Sequence, residues 1–170
     1  FGDTEIARGL LRKAINMDDN LLIAKNLLAN TYNATGNYDK AKEIRIDIED
    51  KKGLAHTLFL MGISNANESI NKLDIAIEYL DQSLGIQKEL AINKGNLIFE
   101  TKLWLNIIKK RSKQPYDSEE ILNMIGQSDV SCDYIIYFRL YELLDDNSYL
   151  KKSINEIETI TAKLSNSADF

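Results

Sequence analysis

The side chains best suited to chemistry are few and scattered along the chain. His56 and Cys132 are its one histidine and one cysteine, and they stand in different segments. A Cys-His nucleophile pair or a His-Cys metal site needs several such residues clustered at short spacing, and that clustering is missing here. The glycines occur singly, so no loop offers the grouped backbone amides that cradle phosphate, and no GxxxxGK[ST], GxSxG or HExxH run is present. Acid pairs such as Glu119-Glu120 and Asp145-Asp146 fall at expected helix ends, where capping accounts for them. Lys109, Lys110 and Arg111 could hold an anion, but cations at a helix C-terminus also complement the helix dipole, and that reading is preferred. The expectation is a protein without catalytic residues, cofactor or metal.

Composition narrows the partners. The 170 residues suit one ordinary domain or a short repeat array. The net charge of −5 is spread over interleaved acids and bases, so there is no basic stripe for a phosphate backbone, and nucleic acid is not expected as a partner. No apolar run approaches the roughly 20 residues that span a bilayer, and no signal-peptide pattern opens the chain, so no membrane association is expected. With Cys132 alone, no internal disulfide can form; together these features favour a reducing, cytoplasmic setting. Pro115 is the one proline and valine is nearly absent, which favours helices over strands.

The best-formed stretch runs from Leu22 to Ile44. Ile23, Leu27, Leu28 and Tyr32 share one face of a predicted helix, with small Ala24 and Ala29 between them. Gly36 breaks that helix, Asn37 is the expected N-cap of the next, and Tyr38, Ala41, Ile44 and Ile48 point inward from it. Upstream, Asp3 or Thr4 caps a helix with Ile6, Ala7, Leu10, Leu11, Ala14 and Ile15 on its buried side. Gly2 to Gly36 and Ala7 to Ala41 are both 34 residues, and Ala41 to Ala76 is 35. A shared period of this size indicates a helix-hairpin repeat.

Further units follow. Leu58, Met61 and Gly62 mark a first helix, and Ala76, Leu80, Ser83 and Leu84 a second, joined by a longer turn without glycine. Gly53 and Gly95, expected to end helices in the left-handed conformation, bound this unit. A helix from about Leu97 to Lys110 carries TKLWL, an echo of HTLFL that sets Trp104 opposite Phe59. Asp117 and Glu120 form a capping-box pattern for a short helix ended by Gly126. DYIIYFRLYELL and YLKKSINEIETITAKL make the last pair, in which YLKKSI echoes YLDQSL and LLRKAI; Leu11, Leu80 and Leu150 are spaced by 69 and 70 residues.

The order Leu28, Ala29, Tyr32, Gly36, Tyr38, Ala41, continued by Gly62 and Ala76, resembles the signature of the tetratricopeptide repeats, and the lengthened later units resemble long-hairpin bacterial-type members. The resemblance implies an all-α fold, a right-handed α-α superhelix of stacked antiparallel hairpins. Residues 1–170 then form one array: 1–19 the second helix of a truncated repeat, 20–51 and 53–87 repeats, 89–126 a degenerate repeat, 131–165 the last repeat and 166–170 a polar, frayed tail. Such a chain reads as a piece of a longer protein. First helices line the concave face in that family, which implies a binding row of Ile23, Asn26, Asn30 and Asn33, then His56, Phe59, Ile63 and Asn67, continued by Trp104. Phe59 and Trp104 could equally fill inter-repeat core.

The function implied is a scaffold that binds a partner peptide or helix on the concave face. Two other readings are a regulatory segment of a larger cyclase- or kinase-type signalling protein, and an enzyme with a pocket in the helical array. Self-association through exposed array ends is a further expectation. Some family members grip a chaperone's terminal carboxylate with Lys and Asn on successive first helices. Of the corresponding Asn26, Asn30, Phe59 and Ile63, Asn30 alone matches, so no such clamp is expected.

Overall fold

The computed structural model describes residues 2–90, 96–127 and 130–167. Among these the chain is all-α, with no strand: α1 (Gly2–Met17), α2 (Leu22–Ala34), α3 (Tyr38–Asp47), α4 (Lys51–Glu68), a 3-10 turn (Ile70–Lys72), α5 (Leu73–Glu89), α6 (Asn96–Arg111), α7 (Ser118–Gln127), α8 (Tyr134–Leu144) and α9 (Asn147–Ser167). The chain divides into two compact units, Phe1–Ala91 and Ile92–Phe170. Gly95 and residues 168–170 of the expected tail lie outside the described residues.

In the first unit α1, α2, α3, α4 and α5 pack in sequence order, each on the next. One core cluster joins Leu28, Ala29, Tyr32 and Ala41, with Leu11, Ile15 and Ile44 packed against it. Gly36 takes φ 75° just past α2, where Gly36 N–H donates to the Asn33 carbonyl at 3.1 Å and Asn37 N–H to that of Tyr32 at 2.9 Å. These bonds satisfy carbonyls that the helix end leaves open, in a conformation that costs glycine nothing. Asn37 occupies the N-cap position of α3 without capping it: its side-chain amide donates back to Thr35 Oγ1 at 3.1 Å.

The buried arc of α2 is rotated from the expected one. Ile23 and Leu27 are exposed, while Ala24, Leu28, Ala29, Tyr32 and Asn33 are buried. Two alanines on the inner arc let neighbouring helices approach, and Asn33 earns its burial by donating from Nδ2 to Thr57 Oγ1 at 3.0 Å. On α1, Ile6 and Leu10 are exposed at 64% and 62% and Arg8 is buried instead, its guanidinium carbon 5.2 Å from the centre of the Tyr32 ring. Arg12 and Lys40 also approach this ring, at 5.9 and 5.5 Å, so Tyr32 is held by cations as well as by apolar packing.

The boundary expected at Gly53 falls earlier. Glu49, at φ 55°, ends α3, and Gly53 lies in the first turn of α4. A Cβ at Gly53 would meet Asp50 Oδ2 and Arg45 Nε, so glycine serves there by leaving space for the Arg45–Asp50 pair, which any larger residue would push aside, and not by its φ. Gly62 and Ala76 meet where α4 crosses α5; a Cβ on Gly62 would lie 2.6 Å from Leu80 Cγ.

The second unit is built on Phe99, Leu103, Ile107, Ile121, Ile136, Leu140 and Leu143 from α6, α7 and α8. α8 pairs with α9, and α6 packs on both α7 and α8. Gly126, expected to end α7, lies within it. Asp117 caps α7 by accepting from Glu120 N–H at 3.0 Å, but the Glu120 carboxylate turns to Lys102 at 2.6 Å instead of closing the capping box.

Candidate functional site

Two of the three cations at the basic end of α6 are already engaged. Lys110 Nζ donates to the carbonyls of Glu142 and Leu143, each at 2.9 Å, and to Asp145 at 2.6 Å, while Arg111 pairs with Glu142 at 2.9 Å. These cations serve a helix C-terminus, that of α8. Asp146 accepts from Ser148 N–H at 2.8 Å at the start of α9; that bond, then the Ser148 hydroxyl, lowers its pKa. Burial, aided by the carboxylate of Asp133, raises the Cys132 thiol, which disfavours the thiolate a nucleophile requires. Among the described residues no three His, Cys, Asp or Glu side chains group as metal ligands, and no helix is long and apolar enough to cross a membrane.

The polar row on the first unit has a definite framework. Arg45 of α3 is buried and reaches two elements at once, donating to Asn30 Oδ1 of α2 and to Asp50 ahead of α4. Asp50 is also the N-cap of α4, accepting from Gly53 N–H at 2.8 Å. Thr57 Oγ1 donates to the Gly53 carbonyl at 3.0 Å and receives Asn33. The chain α2–Arg45–Asp50–Gly53–Thr57–α2 therefore fixes α2 against α4 by hydrogen bonds with few free torsions.

His56 stands exposed beside this framework. Partial desolvation of its ring, then the Arg45 charge, lowers its pKa below the ordinary 6.5, so the imidazole is neutral at neutral pH and able to accept a hydrogen bond. Along α4, Ile63 is half-buried and Asn67 exposed, in line with His56 at i+7 and i+11; half-buried Leu60, absent from the sequence reading, joins that line at i+4. On α2, Asn26 is half-buried and Asn30 exposed, with Ile23 beside them.

Three members of the expected row stand elsewhere. Asn33 is buried in its bond to Thr57. Phe59 is 5% exposed and Trp104 7%, too little for either to anchor a ligand in the folded chain. Trp104 is faced by Arg139, whose guanidinium carbon lies 4.3 Å from the ring centre and which also pairs with Glu142. The structure thus brings Asn30 and His56 to one framework, with Ile23, Asn26, Ile63 and Asn67 on the same two helices. The residues that organise it, Arg45 and Asp50, were not singled out by sequence, because their pairing crosses a helix break that no periodicity describes.

Comparison with family models, with curated proteins and with solved structures finds no match to this chain.

Proposed function

We propose that the chain is a non-catalytic interaction scaffold, a short tetratricopeptide-like array with its hairpins stacked as a right-handed superhelix, binding a partner peptide or helix over α2 and α4. The observation that carries this reading is the row Asn26, Asn30, His56, Ile63 and Asn67. These residues are exposed or half-buried on two helices fixed by the Arg45–Asp50 framework. Such a surface offers amide donors and acceptors and a neutral imidazole beside apolar Ile23 and Ile63, a mixture suited to backbone and side-chain recognition. A rigid framework lowers the ordering cost of binding.

The repeat character is supported by a contact that recurs. In the α4–α5 pair, Ser83 Oγ donates to the Ala55 carbonyl at 2.6 Å. In the α8–α9 pair, Ser153 Oγ donates to the Tyr134 carbonyl at 2.7 Å. Both serines hold the small position of the YLDQSL and YLKKSI echoes, and each ties a second helix to the opening of the helix before it. A displayed peptide library selected on the whole protein tests the proposal: enriched sequences should lose binding to His56→Glu/Asn67→Glu, and unchanged binding would refute it.

Self-association is a second reading, favoured by Ile6, Leu10 and Met17, which are exposed on one face of α1 at i, i+4 and i+11. Sedimentation should show concentration-dependent dimers that Leu10→Lys abolishes; a strict monomer at all concentrations rules this out.

A further inference from the structure

A second surface of the first unit, formed by α1, α2 and α3 and the turn between the first two, carries a cleft of about 320 Å³. Its floor is apolar, made by buried Leu28 and half-buried Ile15 and Ile44. Its rim is charged: Asp19, Glu43 and Asp47 with Lys25. Lys25 Nζ lies 3.0 Å from Asp19 and 3.1 Å from Asp47, so its charge is already engaged by two carboxylates. Glu43 has no ion-pair partner among the described residues. One ammonium against three carboxylates leaves the rim at 1 − 3 = −2.

Floor and rim make different demands on an occupant. An anion would meet net like charge, and a purely apolar group would strip water from Glu43 without replacing its hydrogen bonds. A bare metal ion lacks converging ligands here. An aliphatic stem ending in a cation satisfies both, with its methylenes on Ile15, Leu28 and Ile44 and its head at the rim. A volume near 320 Å³ stands at the lower end of ligand-sized clefts, enough for one long side chain and too little for a folded element. We infer that this cleft receives a basic side chain, arginine or lysine, from a partner polypeptide.

The test is methyl-detected NMR on the whole chain, titrated with the capped peptide acetyl-Gly-Gly-Arg-Gly-Gly-amide and with its citrulline counterpart, which keeps the shape of arginine and removes its charge. The arginine peptide should shift the methyl signals of Ile15, Leu28 and Ile44 saturably, and citrulline should bind about fivefold more weakly or worse. Exposed Glu43→Gln should weaken the arginine peptide about fivefold, leave citrulline unchanged and melt like the wild type. Asp19→Asn, on the turn between α1 and α2, provides a second variant with the same expected loss. Equal binding of the two peptides, absence of a saturable shift at these methyls, or full binding by both variants overturns the inference. Since the α2–α4 row is not perturbed by either variant, these outcomes leave the scaffold reading to its own test.

Discussion

At the scale of single residues, two glycines separate space from conformation. Gly62 leaves no room for a Cβ against Leu80 and the Ala76 carbonyl, whereas Gly85, also within a helix, has nothing within 4 Å of that position. Gly62→Ala should therefore cost about 1–3 kcal/mol by forcing α4 from α5, and Gly85→Ala should stabilise by about 0.5–1 kcal/mol through helix propensity. Chemical denaturation of the two variants checks the opposite signs. His56 makes a further prediction. Its folded pKa lies below the ordinary 6.5, so the folded state binds fewer protons than the unfolded one in that window, and stability is lost as pH falls below 6.5. Melting points of wild type and His56→Gln between neutral pH and about pH 5 should diverge from parallel, the variant losing less. Parallel curves would show that the histidine is not linked to folding.

At the scale of elements, the repeated serine contact predicts a penalty in each of the two units. Ser83→Ala and Ser153→Ala should each cost about 1 kcal/mol, and the cost for Ser83 should be the larger because Gln87 Nε2 also donates to its oxygen at 2.8 Å. Thermal denaturation followed by circular dichroism measures both. The helices themselves were legible in the sequence: Gly36, the apolar periods and the 34- and 35-residue spacings marked those of the first unit, while α6 to α9 were read from apolar periods, the Asp117–Glu120 capping pattern and the TKLWL and YLKKSI echoes. Their rotation was less so. Ile23 and Leu27 are more apolar than Ala24 and Asn33, yet lie outside, because close approach selects small residues and the Asn33 amide, once inside, donates to Thr57. Gly53 misled for a related reason: a glycine that leaves space for Arg45 and Asp50 looks, in one dimension, like a glycine needed at a helix end. The framework of Asn30, Arg45, Asp50, Gly53 and Thr57 depends on contacts across a break, where no spacing rule applies.

At the scale of the molecule, the chain is a set of helices in two compact units, and the recognition surface proposed for it lies on one of them. Its features converge on the first unit, where buried Arg45 orders two helices and exposed His56 and Asn67 face solvent. The most direct measurement is the affinity of a peptide selected on the whole protein for wild type and for His56→Glu/Asn67→Glu, both first shown to melt alike. The account predicts at least about a tenfold loss, as expected when contacts near the middle of an interface are replaced by unpaired charge. Equal affinity in the two proteins would contradict it.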